Sequence, residues 1–307
     1  MKLGILFSGQ GSQVPEMGLD LYNKYKYIKK FYDKYPDIAN LSFNADITTL
    51  SKTINTQPVL VMFHLAVLTI LKKNNIKYDI TAGLSLGEYS ALAASGILTF
   101  EDTIKIIKKR AEFMSDDCKN NSTMLLAILG KNENEIVEYI SNINKKDNLN
   151  IEIANMNCPK QVVIGINTAS KEEIIKKFNN ETNFKIIPLN VEGAFHTSFM
   201  NNSKIKLEKE LKNYTFNPEQ IPIIFNRTAD FQKNHSLIDL LSNQINNTTY
   251  FHKSILKMID FGVTTFLEIG YNNIFKGFIN KIDKNIKVIP INSVESIEEL
   301  KKENLYE

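Results

Sequence analysis

Two apolar runs early in the chain each pass straight into a glycine-bearing turn, and this feature narrows the possible folds most. "LGILF" (3–7) ends in "SGQGSQ", and "YDITAGL" (78–84) ends in "SLGEYSALAASG". A short apolar run without polar alternation reads as a strand buried on both faces. Such strands belong to parallel sheets, whose crossover connections are helices. The sequence between the runs supplies helices: one near 17–33 and an apolar one over 58–74. Further on, "TFEDTIKIIKKRAEFMSDDCK" begins with Thr99 as N-cap and Asp102 three residues later, a variant of the capping box. The expected class is α/β with a parallel sheet.

The rhythm changes in the middle. "STMLLAILG" (122–130) reads as a strand, "NENEIVEYISNIN" (132–144) as a helix, and "IEIANMN" and "QVVIGIN" as two strands around Cys158, Pro159 and Lys160. "SKEEIIKKFNN" is a helix and "FKIIPLN" (184–190) a strand. The order β-α-β-β-α-β is that of the ferredoxin-like motif. The expected organisation is a small ferredoxin-like subdomain, 122–190, inserted into a larger domain made of 1–121 and 191–307. "PIIFN" (222–226) and "TTFLEIG" (264–270) are further strands of the larger domain.

Composition removes several function classes. Lys and Arg exceed Asp and Glu by only 37 − 34 = 3, which gives no overall field for nucleic acid. Cys118 and Cys158 lack metal-ligand spacing and read as reduced thiols. The N-terminus has no long apolar segment of the kind a signal peptide needs. The most apolar stretch, 58–71, is too short to span a bilayer and contains His64. A cytoplasmic protein without metal, membrane or nucleic-acid partner is expected.

The chemistry concentrates in a few residues. Gly83-Leu84-Ser85-Leu86-Gly87 fits G-x-S-x-G, in which a sharp strand-to-helix turn lifts a serine oxygen clear of the sheet. The same five residues also fit a serine N-cap between packing glycines. A serine nucleophile needs a base, and the chain has four histidines. His64 lies in an apolar helix and reads as a satisfied core residue. His235 sits in a polar loop, and His252, beside Lys253, reads as a surface residue. His196, in "VEGAFHTSFM", follows a strand and a glycine, where α/β sheets build their sites, and is the candidate base.

Thr103, Ile106, Ile107, Arg110, Phe113 and Met114 share one helix face, so Arg110 lies within an apolar stripe. A buried guanidinium requires an anion: an internal carboxylate, or a ligand carboxylate that it grips as a fork. Gly9-Gln10-Gly11 begins like a dinucleotide loop, but Val14 stands where the third glycine belongs. The other reading is an oxyanion hole built from the Gln10 and Leu86 backbone amides.

In this order the motifs resemble those of the malonyl-CoA:acyl carrier protein transacylases, including the acyltransferase domains of fatty acid and polyketide synthases. "FSGQGSQ" is similar to FPGQGSQ, "GLSLGEYSAL" to GHSLGEYSAL, "RAEFM" to the arginine segment, and "ANMNCPKQVVI" to ANxNxPxQVVI. "GAFHTSFM" carries the histidine, and "EIG" (268–270) matches the start of EVGPGxVL. The resemblance implies an α/β-hydrolase-like core with an inserted ferredoxin-like subdomain. It implies Ser85 as nucleophile, His196 as base, and the Gln244 backbone carbonyl as the group orienting His196. The Gln10 and Leu86 amides would form the oxyanion hole. Arg110, Met114, Asn155 and Phe195 would bind the acyl group, with the Phe195 ring filling the space an α-methyl would need.

The activity implied is transfer of malonyl from malonyl-CoA to the pantetheine thiol of acyl carrier protein, by a monomer without cofactor or metal. A trans-acting polyketide acyltransferase and a serine thioesterase or other hydrolase are the alternatives. The sequence departs from the family pattern at Leu84, where many members carry histidine, and which reads as a packing position. It also departs at Ser8, at Tyr271-Asn272-Asn273, and at Thr248 and Phe251.

Overall fold

The run at 3–7 is the central strand of a five-stranded parallel sheet, and every residue of it after Lys2 is buried. The computed structural model describes residues 2–303 apart from 131 and 148. Its strands in chain order are β1 (Lys2–Phe7), β2 (Ile80–Gly83), β3 (Thr123–Leu129), β4 (Glu152–Cys158) and β5 (Gln161–Asn167). Then come β6 (Lys185–Pro188), β7 (Ile223–Ile224), β8 (Val263–Ile269) and β9 (Lys287–Ile291). The parallel sheet has the order β7-β2-β1-β8-β9. Alternation along β1 divides the core. Leu3, Ile5 and Phe7 pack with the long helix Thr53–Lys73, whereas Leu6 packs with Phe251, Ile255 and Phe266 on the other face.

A separate four-stranded antiparallel sheet has the order β4-β5-β3-β6. Leu126 and Ile128 of β3 face the helices Glu133–Asp147 and Lys171–Glu181, packing with Ile136, Ile140 and Phe178. Leu125 and Ala127 face the other way, into the main core. Beside the site, β4 is tied to the segment that leads into the helix Phe251–Asp260. Thr249 accepts from the Met156 N–H (2.9 Å) and donates to the Ala154 carbonyl (3.0 Å). Asn155 Nδ2 donates to Thr249 Oγ1 at 2.6 Å, and Thr248 Oγ1 donates to the Ile153 carbonyl at 2.6 Å.

Some expectations need correction. The helix near 17–33 is two helices, Leu19–Lys24 and Lys26–Tyr32, because Tyr25 is extended (φ −111°, ψ 109°). The apolar helix starts at Thr53, five residues before Pro58. At 21 residues it is long and apolar enough to cross a membrane, but 83% of its apolar window is buried inside the protein. The strand in "PIIFN" is only two residues long. The edge strand β9 and the helices from 201 onward lie outside the sequence reading. His252 is not a surface residue: it is largely buried, and its Nδ1 lies 3.0 Å from Glu133 Oε2.

Candidate active site

Gly83 and Gly87 decide the local geometry. A Cβ on Gly83 would lie 2.1 Å from the Gly87 backbone, and one on Gly87 would lie 2.2 Å from the Phe7 carbonyl oxygen. Backbone approaches this close admit only glycine. Between them Ser85 takes the left-handed region, φ 56°, which a non-glycine residue adopts at a cost of about 1–3 kcal/mol. Asn226, 141 residues away, braces this strained turn. Its Oδ1 accepts from the Ser85 N–H (2.7 Å) and its Nδ2 donates to the Gly83 carbonyl (2.5 Å). The Asn226 N–H in turn donates to Glu88 Oε2 at 2.6 Å. The sequence reading missed Asn226; no local pattern marks a partner so distant.

His196, also left-handed at φ 62°, faces this serine. Its Nε2 lies 2.9 Å from Ser85 Oγ, and its Nδ1 lies 2.7 Å from the Gln244 carbonyl oxygen. A carbonyl only accepts, so Nδ1 carries the proton and Nε2 is free to receive one from the serine. The His196 N–H donates to the Ile245 carbonyl (2.8 Å), which fixes the backbone as well. Burial, aided by the Arg110 charge, lowers the His196 pKa to about 3, while the Gln244 carbonyl opposes the shift. The imidazole is therefore neutral at physiological pH.

The amides proposed for an oxyanion are unspent. Among the described residues neither the Gln10 nor the Leu86 N–H has a protein acceptor, and both residues line the cavity at Ser85. Ser12 Oγ donates to the Gly9 carbonyl at 3.0 Å. The carbonyl and N–H of one trans peptide point in opposite directions, so holding Gly9 O aims the Gln10 N–H away from Ser12. A buried chain steadies this loop from below. Ser12 Oγ lies 2.7 Å from Ser8 Oγ, which lies 3.0 Å from His64 Nε2, and His64 Nδ1 lies 3.0 Å from Ser90 Oγ. His64 is thus a satisfied core histidine, and Ser8 takes part in satisfying it.

Arg110 lies in the same cavity, 1% exposed. Its Nη1 donates to Gln57 Oε1 (2.5 Å), and its Nη2 donates to Gln244 Oε1 (2.9 Å) and Ser85 Oγ (3.1 Å). The Nε–H is buried with no partner. No carboxylate of the described residues lies within 4.0 Å, so the internal salt bridge considered for Arg110 does not form. Met114, Asn155 and Phe195 also line this cavity of about 120 Å³. A second cavity of about 240 Å³ shares Gly9, Gln10, Leu84, Asn157, Val163 and Leu189 with it, and extends toward Ile274 and Phe278. Leu84 is therefore more than the packing position expected: it lines both cavities.

Three buried groups set a pH dependence of stability. His64 and His196 are both lowered to about 3 by burial, against 6.5 for free imidazole. Between those values the unfolded chain binds the extra protons. This stabilisation is complete above about pH 6.5 and is lost as pH falls. Glu88 works the other way: burial raises it from 4.5 to about 8, so its contribution is lost as pH rises through that window. The melting temperature should peak at about pH 6–7, falling steeply on the acid side and more gently toward pH 8. A melting curve that rises steadily from pH 6 to 9 would contradict these assignments.

A strained serine held by an imidazole, beside two unspent amides, has the form of an acyl-transfer enzyme's centre. The comparisons agree. Residues 5–303 match the family model for the acyl transferase domain. The chain is 36% identical over 314 residues to the malonyl CoA-acyl carrier protein transacylase of Bacillus subtilis, covering 99% of this chain and 98% of that one. It is 31% identical to the Staphylococcus aureus protein of the same name, covering 96% and 97%. The crystal structure of malonyl CoA-acyl carrier protein transacylase from Clostridium perfringens superposes with a TM-score of 0.91 at 33% identity, covering 98% of this chain and 96% of that one. The chain belongs to the acyl transferase family and, within it, to the malonyl-CoA:acyl carrier protein transacylases.

Proposed function

We propose that the protein transfers a malonyl group from malonyl-CoA to the pantetheine thiol of acyl carrier protein, through a malonyl ester on Ser85. The observation that carries the substrate assignment is Arg110: a buried guanidinium without a carboxylate, 3.1 Å from the serine oxygen. Ser85 Oγ attacks the thioester carbonyl while His196 Nε2 takes its proton. The Gln10 and Leu86 amides receive the oxyanion, a contribution typically worth about 3–4 kcal/mol per donor. The carbon–sulfur bond breaks, His196 returns the proton to the departing CoA thiolate, and the malonyl-serine ester remains. In the second half the carrier thiol gives its proton to His196, attacks the ester, and regenerates Ser85 as the new thioester forms.

The acyl carboxylate takes the place beside Arg110. By cancelling that positive charge it relieves one of the effects that hold His196 weakly basic, so the charged substrate strengthens its own base. The small cavity suits an acyl group of this size, and the one bordered by Leu84 and Phe278 suits the pantetheine arm of either thioester. A thioesterase would share Ser85 and His196 but has no use for an unpaired Arg110, and a polyketide acyltransferase would differ only in the carrier it serves. We read the carrier as that of fatty acid biosynthesis and the enzyme as a cytoplasmic monomer needing no cofactor.

We also read the fold as an α/β-hydrolase-like core (1–121 and 191–307) carrying a ferredoxin-like subdomain (122–190). The order β4-β5-β3-β6 with two helices on one face supports the second term. Initial rates with malonyl-CoA and carrier protein both varied should give parallel double-reciprocal lines, the signature of a substituted enzyme. Intersecting lines, or CoA release independent of carrier, would favour direct transfer or hydrolysis.

A further inference from the structure

Every group that holds the buried Arg110 side chain is uncharged. Two are amide oxygens, of Gln57 and Gln244, one is the Ser85 hydroxyl, and the Tyr89 ring lies 5.5 Å from the guanidinium carbon. Buried cations ordinarily pair with carboxylates. Glutamate is nearly isosteric with glutamine, so one substitution at either position would supply such a pair. Both amides are also fixed in orientation by their own N–H groups. Gln57 Nε2 donates to Met114 Sδ (3.4 Å) and Gln244 Nε2 to the Ser85 carbonyl (2.8 Å), which turns each oxygen onto the guanidinium. Glu88, the buried acid near this cluster, forms no ion pair with Arg110 within 4.0 Å, and burial pushes its carboxyl up to about 8 against the lowering effect of the Arg110 charge.

We propose that Gln57 and Gln244 are specificity-determining residues that orient the Arg110 fork without neutralising it, so that only an acid-bearing acyl group completes its charge pairing. This rests on the reading of Arg110 as the partner of the malonyl carboxylate. An amide oxygen accepts a hydrogen bond yet leaves the net positive charge in place. A carboxylate at position 57 or 244 would stay ionised beside the guanidinium, occupy its charge, and present like charge to malonyl.

The test compares kcat/KM for malonyl-CoA and acetyl-CoA in wild type, Arg110→Ala, Gln57→Glu, Gln57→Met and Gln244→Glu. Gln57 is the cleaner position, because Gln57→Glu sacrifices only a weak N–H···S contact. Gln57→Glu should lower the malonyl-to-acetyl ratio on the order of 100-fold, almost wholly through malonyl. Gln57→Met, which removes the acceptor without adding charge, should lower the ratio less than about tenfold. Gln244→Glu should show the same loss of ratio, with both rates reduced by the lost bond to Ser85, and it decides the matter if Gln57→Glu does not fold. An unchanged ratio in Gln57→Glu, or an equal loss in Gln57→Met, overturns the inference while leaving the Arg110 reading intact. Equal ratios in wild type and Arg110→Ala would instead overturn that reading, and this inference with it.

Discussion

Alanine at position 196 is expected to lower the rate of acyl-enzyme formation by about a thousandfold or more. His196 Nε2 is 2.9 Å from Ser85 Oγ, and among the described residues no other imidazole or carboxylate is bonded to that oxygen. Without a base the hydroxyl must attack as a neutral alcohol, which is a weak nucleophile. Substrate binding should persist, because Arg110 and the amides of Gln10 and Leu86 are untouched. The loss should therefore fall on kcat and leave KM within a few fold. Single-turnover measurement of CoA release separates the two. A rate within tenfold of wild type would mean that His196 is not the base. The orienting group is a backbone carbonyl, so Gln244→Ala keeps it, and side-chain substitutions there report on Arg110 and Ser85 instead.

Arg110→Ala should reduce kcat/KM for malonyl-CoA on the order of a thousandfold while leaving acetyl-CoA nearly as good a substrate as before. In the wild type, an acyl group without a carboxylate leaves the Nε–H and the net charge of Arg110 unmet in a dry site, and that is costly. On the proposed reading, a malonyl carboxylate supplies the missing charge. In the alanine variant the penalty against acetyl disappears together with the attraction for malonyl, so the two specificity constants should converge. Retention of malonyl preference would show that the selecting cation lies elsewhere. Arg110→Lys should recover only part of the preference, since a single ammonium cannot reproduce the planar fork.

What could be read from the sequence was local. Gly83 is forced by the backbone of Gly87 within the same pentapeptide, so that part of the turn is written locally, whereas Gly87 is forced by the Phe7 and Ser8 carbonyls at the end of β1. Arg110 declares itself through helical periodicity, because a charge within an apolar stripe must be buried. The alternation of the middle segment gave β3 to β6 nearly to the residue. What escaped notice depends on distant partners. Gln57 is an uncharged residue entering an apolar helix, and its importance appears only when a helix 53 residues later brings Arg110 against it. Asn226 follows a two-residue strand and gains its role from Ser85 and Gly83. The edge strand β9 contains Pro290, which weakens any strand signal, and Tyr25 breaks a helix that its own residue type would allow.

The most direct test of the account is the intact mass of the protein after mixing with malonyl-CoA, alongside the Ser85→Ala variant. The wild type should gain one malonyl group, lose it on addition of a carrier-protein thiol, and show no comparable gain with acetyl-CoA, while Ser85→Ala should stay unmodified throughout. A malonyl adduct that persists on Ser85→Ala, or steady release of CoA from the wild type with no carrier present and no adduct, would contradict a transferase working through that serine.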